Sequence, residues 1–174
     1  MRARDNPFAT DRVLRVRYRL LGTTWEDLLA QLESLNFRAA IVGPEGSGKT
    51  TLLEDLEPHL RARGFPVCHW RFDDRKRSTP PVHKSGVVLL DGAEVLRPWE
   101  WWWYSRRLPR LVITAHRPGL LPTLWECRTT PALLEEIVAG LHPGAKTEGL
   151  FEKHGGNLRV ALRELYDRYA EAVI

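Results

Sequence analysis

The eight residues Gly43-Pro44-Glu45-Gly46-Ser47-Gly48-Lys49-Thr50 constrain this chain more than any other segment. They satisfy the pattern G-x-x-x-x-G-K-[ST] at every fixed position. Phe37-Arg38-Ala39-Ala40-Ile41-Val42 before them reads as a strand. Thr51-Leu52-Leu53-Glu54-Asp55-Leu56 after them continues as an amphipathic helix. A strand, a glycine-rich turn and a helix in this order make a phosphate cradle. The glycines let successive N–H groups point inward, and the helix start adds the positive end of its dipole. Gly43, Pro44, Glu45, Gly46, Ser47, Gly48, Lys49, Thr50 and Thr51 are therefore expected to hold a nucleoside triphosphate, ATP with Mg2+. Lys49 is expected on the β- and γ-phosphates, and the Thr50 hydroxyl on the magnesium ion. The competing reading is an ordinary strand-to-helix turn; the complete pattern with both flanks argues against it.

At 174 residues the chain is long enough for one domain with a real core and a small helical appendage. With 43% apolar and 28% charged residues it is expected to be a soluble globular protein. The formal charge of +4 is a mild basic excess that a bound triphosphate would largely neutralise. Cys68 and Cys127 lie far apart in apolar stretches and read as buried thiols, not as a disulfide framework or a metal site. No apolar run approaches the length of a membrane span, and Met1-Arg2-Ala3-Arg4-Asp5 lacks the apolar segment of a secretion signal. The cytoplasm is the expected location, and no membrane is expected as partner.

Residues 1–22 have no clean periodicity; Asn6-Pro7-Phe8 reads as a turn. Thr23 or Thr24 is expected to cap a helix whose apolar stripe is Trp25, Leu28, Leu29, Leu32 and Leu35. The helix after the phosphate loop runs to about Arg63 and stops at Gly64. Further strands are expected at Pro66–Phe72, Gly86–Asp91, Leu111–Ala115 and Thr123–Thr129, with a polar loop over Asp73–Pro81. The third strand is continuously apolar before its acid, as a parallel strand covered on both faces should be. The expected fold class is α/β: a three-layer P-loop NTPase core with a mostly parallel five-stranded sheet, followed by a small helical lid. The core, with the N-terminal segment, is expected over 1–130 and the lid over 131–174. In the lid, Thr130 and Asn157 are the helix caps.

Asp91, after four apolar residues, fits the carboxylate that faces the phosphate loop and holds magnesium, usually through water. Hydrolysis also needs a group that positions or activates water. Many P-loop ATPases carry Glu directly after this Asp, where Gly92 stands here. Glu94 is the candidate in its place, or else a surface residue capping the next segment. Thr114 closes the fourth strand and is a candidate for the γ-phosphate or the attacking water, or else it caps the turn before Pro118. His116 and Arg117 follow it, as candidates for nucleotide contact or as ordinary surface residues.

Pro98-Trp99-Glu100-Trp101-Trp102-Trp103-Tyr104-Ser105-Arg106-Arg107 holds four of the seven tryptophans. On a helix Trp99, Trp102, Trp103 and Arg106 share a side while Trp101 points elsewhere, so one core-facing stripe cannot absorb them all. Three readings stay open: a wedged helix with half-exposed rings, a docking surface for a protein partner or second subunit along Trp99–Arg107, and base stacking with phosphate contacts from Arg106, Arg107 and Arg110. Arg75-Lys76-Arg77 would strengthen the third if it shared that face.

With these residues laid out, the chain resembles a compact P-loop ATPase related to the AAA+ and STAND groups. The phosphate loop, Asp91 and Thr114 match Walker A, Walker B and the first sensor in order. Gly156-Asn157-Leu158-Arg159 resembles the second-sensor motif in the lid of initiator and clamp-loader type ATPases, which implies that Arg159 reaches the γ-phosphate. Asn6-Pro7-Phe8 resembles an N-terminal motif that lies near the adenine in such ATPases. The resemblance departs at Gly92 and at the short interval from Phe72 to Gly86. The expected function is an ATP-Mg binding protein with slow ATPase activity (ATP and water to ADP and phosphate), acting as a nucleotide-dependent switch or assembly factor. Lys49, Glu94, Thr114 and Arg159 are the catalytic candidates, and Thr50 and Asp91 the metal candidates. Two alternatives remain: a small-molecule or nucleotide kinase, with Asp73 or Asp74 orienting an acceptor, and a nucleic-acid-stimulated ATPase.

Overall fold

The computed structural model describes residues 5–71 and 86–172, which form two compact units. One contains Tyr18–Gly43 and Gly48–Cys127; the other contains the chain up to Arg17, the loop stretch Pro44–Ser47, and the chain from Arg128 onward. In chain order the elements are α1 (Thr10–Val13), α2 (Trp25–Ser34), β1 (Arg38–Val42), α3 (Lys49–Ala62), β2 (Val67–Arg71), β3 (Val87–Asp91), α4 (Pro98–Arg107), β4 (Leu111–Ala115), β5 (Thr123–Glu126), α5 (Pro131–Leu141), α6 (Leu150–Lys153) and α7 (Leu158–Ala172). Phe72, the expected loop Asp73–Pro81 and its basic run Arg75-Lys76-Arg77 lie outside the described residues.

The first unit is a three-layer α/β core. Its five strands stand in the order β2-β3-β4-β1-β5, and every pairing is parallel. Side chains alternate across a strand, so β1 feeds both layers. Ala39 and Ile41 pack with Leu28 and Leu32 of α2 and with Leu52, Leu56 and Leu60 of α3. Ala40 and Val42 pack on the opposite face with Leu90, Ile113 and the partly buried Trp101 and Tyr104 of α4. Each leucine removed from water here contributes about 1.5–3 kcal/mol. The central strands are apolar on both faces because helices cover both.

The helix starts follow their caps. Thr24 accepts from the Asp27 N–H at 3.1 Å while Asp27 accepts from the Thr24 N–H at 3.3 Å, a reciprocal box that selects Thr24 over Thr23. Thr130 accepts from the Leu133 N–H at 3.1 Å, and Asn157 from the Val160 N–H at 3.2 Å. Two details differ from expectation, and a third, the inward side of α4, is one the sequence leaves open. The fifth strand ends at Glu126, although the Cys127 N–H still donates to the Val42 carbonyl at 2.7 Å. Cys68 is only half-buried, unlike Cys127. On α4 it is Trp101 that turns inward, while Trp99 and Trp102 are 61% and 55% exposed.

The second unit is built on Phe8, Leu134, Val138, Leu150, Leu158, Leu162 and Leu165. Buried Asn6 ties the N-terminal turn into this core: its Oδ1 accepts from the Phe8 N–H at 2.9 Å and its Nδ2 donates to the Tyr166 carbonyl at 2.8 Å. The Asn-Pro-Phe turn is thus a packing device for α7. The four residues of α1 are too few to show a period in the sequence.

Glu164 joins α6 to α7, accepting from Lys153 at 2.8 Å, His154 at 2.6 Å and Arg168 at 2.6 Å. Lys153 chiefly, then His154 and Arg168, lower its carboxyl from 4.5 to about 2. A depressed folded-state value stabilises above the unfolded value and is lost on acidification. Glu164→Gln should therefore remove the part of the acid-unfolding slope that lies between about pH 4.5 and pH 2, read by helical circular dichroism during an acid titration.

Candidate functional site

Parallel strands bring their carboxyl ends to one edge of a sheet, where the loops can converge on a ligand. At this edge Gly43 follows β1 and anchors the loop, its N–H donating to the Ala115 carbonyl at 3.2 Å. Gly48 ends the loop in the left-handed region (φ 88) as the residue before α3. Lys49 and Thr50 therefore begin the helix, at the end whose N–H groups can receive an anion. Lys49 is buried, and its Nζ donates to the Gly43 carbonyl at 2.8 Å, closing the loop on itself.

Asp91 ends β3 and gathers donors from other elements. The Thr50 hydroxyl lies 3.1 and 3.2 Å from its two carboxylate oxygens. The buried Thr114 hydroxyl donates to Oδ1 at 2.8 Å and accepts from the Gly92 N–H at 2.8 Å. Thr114 thus braces Asp91 and does not cap its own turn. β4 lies between β1 and β3, so the acid stands on the strand next but one to the loop strand, and Thr114 occupies the strand in between. Gly92 has φ 85, a conformation that a glutamate would adopt only with strain, about 1–2 kcal/mol. The missing side chain at this position belongs to the backbone turn itself.

Thr50 and Asp91 offer hard oxygen donors side by side, as magnesium requires when phosphates and water complete its shell. Among the described residues no group of three or more His, Cys, Asp or Glu could hold a metal alone. The donor set fits a magnesium ion that arrives with a triphosphate.

Glu94 sits on the 3-10 turn Ala93–Val95 after the left-handed Gly92, and His116 Nε2 lies 3.2 Å from its Oε1. The two expected candidates are thus partners of each other. Arg117 is exposed on the following loop. Arg71, which sequence reasoning did not single out, closes β2 opposite Asp91 in the register and places its Nε 3.2 Å from Oδ2. A basic residue ending the strand beside an acid-terminated one was the available signal.

Tyr18 was also missed, because it falls in a stretch without periodicity. Its ring lies 3.1 Å from where a Gly48 side chain would begin. Its hydroxyl accepts from Trp125 Nε1 at 3.0 Å, and its N–H donates to buried Asp55 at 2.7 Å. The ring backs the loop at the start of α3. Burial pushes the Tyr18 phenol well above its ordinary value and raises the neighbouring Cys127 thiol to about 11.

In the second unit the loop tip meets the start of α7. A side chain at Gly46 (φ 72) would begin 2.0 Å from Asn157 Oδ1 and 3.3 Å from the Arg159 backbone nitrogen. Arg159 itself is exposed. Gly46→Ala must therefore strain the backbone and displace the α7 cap together, at a cost of about 2–4 kcal/mol. In an Asn157→Ala background the same change should cost about 1 kcal/mol less, a coupling that urea unfolding of the four variants of the cycle measures.

On α4, three guanidiniums stack on tryptophan rings: Arg97 on Trp99, Arg106 on Trp102 and Arg107 on Trp103, at 5.3, 4.5 and 4.1 Å from the ring centroids. Among the described residues no helix is long and apolar enough to cross a membrane.

No known family model matches the sequence. A thymidylate kinase of Deinococcus radiodurans is 40% identical over 79 residues, which is 45% of this chain and 37% of that enzyme. The structure is similar to NtrX from Brucella abortus solved with ADP (TM-score 0.52, 15% identity, 90% of this chain and 53% of that one). The ATP complex of NtrX matches with a TM-score of 0.51 and 15% identity over 86% of this chain and 50% of that one. The chain spans about half the length of the NtrX chains it matches and little more than a third of the kinase. At this level of identity the likeness shows a shared fold.

Proposed function

We propose that the chain binds ATP with Mg2+ through the loop at residues 43–51 and hydrolyses it slowly, as a switch or assembly factor acting through a protein partner. The observation that carries this reading is the run of groups from Lys49 through Thr50 and Asp91 to Thr114 at one sheet edge. On binding, Lys49 exchanges its Gly43 carbonyl for phosphate oxygens, and the first amides of α3 take the remaining charge. Thr50 and Asp91 hold the magnesium, which shields the phosphate oxygens. Thr114 keeps Asp91 oriented, and Glu94 is the candidate base, held by His116 until water is in place. Arg159, on the turn against Gly46, is the candidate γ-phosphate contact, as in the lids of initiator and clamp-loader type ATPases. Residues 131–174 then act as the lid on the 1–130 core, with the cytoplasm as the site of action. Gly92 in place of the usual glutamate supports slow turnover.

The exposed Trp99 and Trp102 beside Arg97, Arg106 and Arg107 suit a partner segment that carries carboxylates. The same face is what a nucleic-acid-stimulated ATPase would use, and DNA or RNA titrations at two salt concentrations separate the two.

The 79-residue likeness to thymidylate kinase favours a nucleotide kinase as second reading. Against it, β4 and β5 are joined by residues 116–122 alone, where Arg117 is the one arginine, leaving no room for an arginine-rich closing segment. The acceptor candidates Asp73 and Asp74 lie outside the described residues. Adding thymidine monophosphate should therefore yield no diphosphate.

Lys49→Ala should weaken Mg-ATP binding by roughly ten- to a hundredfold, the loss of one charge-assisted contact set, measured with a fluorescent ATP analogue. Single-turnover phosphate release by the wild type should be slow yet faster than by Lys49→Ala; equal rates would sink the hydrolysis part of the reading.

A further inference from the structure

Arg71 holds a position that the triphosphate reading alone does not require. It is the last residue of β2, directly opposite Asp91 in the parallel register. Its Nε lies 3.2 Å from Asp91 Oδ2, and its Nη2 lies 3.7 Å from Glu54 Oε1 on α3. The Asp91 donors Thr50, Thr114 and Arg71 differ in kind: the two hydroxyls are neutral, and the guanidinium is a cation. The carboxylate assigned to the magnesium thus already has a cation beside it. The side chain of Asp91 is 14% exposed and that of Arg71 65%, so the pair is set at the solvent edge.

That placement has two consequences. Exposed ion pairs are weak, and a long side chain leaves one at small cost. A buried bidentate pair would lock a metal out, whereas this one can be displaced. Glu54 gives the displaced guanidinium a second carboxylate without leaving the site. We propose that Arg71 is the resident counter-cation of the metal site: it neutralises Asp91 while no divalent ion is present and yields toward Glu54 when magnesium arrives. This assignment rests on the triphosphate reading of the loop and specifies how metal and nucleotide binding are linked there.

The linkage has a sign. With Arg71 on Asp91, a metal-free triphosphate approaches a neutralised carboxylate; without Arg71 it meets a bare negative charge and binds more weakly. Divalent metal, which must compete with the guanidinium, binds more tightly once Arg71 is gone. The two effects move in opposite directions, so their ratio isolates Arg71 from any general loss of folding or affinity.

The test uses the full chain as wild type, Arg71→Gln, Arg71→Lys and Glu54→Gln, each checked by thermal unfolding. A fluorescent ATP analogue is titrated in EDTA and in Mg2+, and Mn2+ alone is titrated by electron paramagnetic resonance. In Arg71→Gln the metal-free to metal-loaded ratio of dissociation constants should rise about three- to tenfold, and Mn2+ alone should bind about two- to fivefold more tightly. Arg71→Lys should stay near wild type. Glu54→Gln removes the alternative carboxylate, holds Arg71 on Asp91, and should weaken Mn2+ binding. An unchanged ratio in Arg71→Gln overturns the proposal, as does equal Mn2+ affinity in wild type and variant. Parallel weakening with and without metal would make Arg71 a direct phosphate ligand and also overturns it. Failure of the wild type to bind the ATP analogue in either condition removes the triphosphate reading instead, and the Mn2+ titrations still decide the role of Arg71.

Discussion

Asp91 is a carboxylate at a sheet edge that three other elements use to fix their ends: α3 through Thr50, β4 through Thr114 and β2 through Arg71. A charged group at a partly buried position is tolerated only when hydrogen bonds replace its water, and here the replacement comes from the site itself. Thr114 is held in turn by the Gly92 N–H, so the turn after β3 and the end of β4 cannot move separately. The same contacts that satisfy the acid place a hydroxyl, a carboxylate and a cation around one point.

The phosphate loop is constrained from outside as well as by its own dihedrals. Gly48 is left-handed and has the Tyr18 ring against it; Gly46 is left-handed and has Asn157 against it. A Cβ at either position meets both a backbone penalty and a neighbour. Lys49 gives up water for the Gly43 carbonyl, which keeps the curl closed. In the other unit Asn157 also caps α7, and Asn6 holds the Tyr166 carbonyl midway along that helix.

Much of the fold was legible because its signals are local. The apolar run Val87–Leu90 before an acid, the stripe from Trp25 to Leu35 behind a capping threonine, and the caps Thr130 and Asn157 each declare an element without reference to the rest of the chain. Where the reading failed or stayed open, the cause was nonlocal. The sequence leaves open which side of α4 faces inward, because the sheet decides it, and it is the side of Trp101. Tyr18 has no periodic neighbours, yet three-dimensional placement sets it behind Gly48. Arg71 is one basic residue among many until the register puts it beside Asp91.

From sequence alone came the phosphate loop, its two flanks, the acid at the end of the third strand and the α/β class, since glycine spacing and hydrophobic period depend on near neighbours in the chain. The strand order, the insertion of Thr114 between loop and acid, the pairing of Glu94 with His116 and the presence of Arg71 at Asp91 were decided by the tertiary structure. Those contacts join residues far apart in the chain. Their geometry follows from how twisted strands and covering helices share one core, which no local pattern encodes.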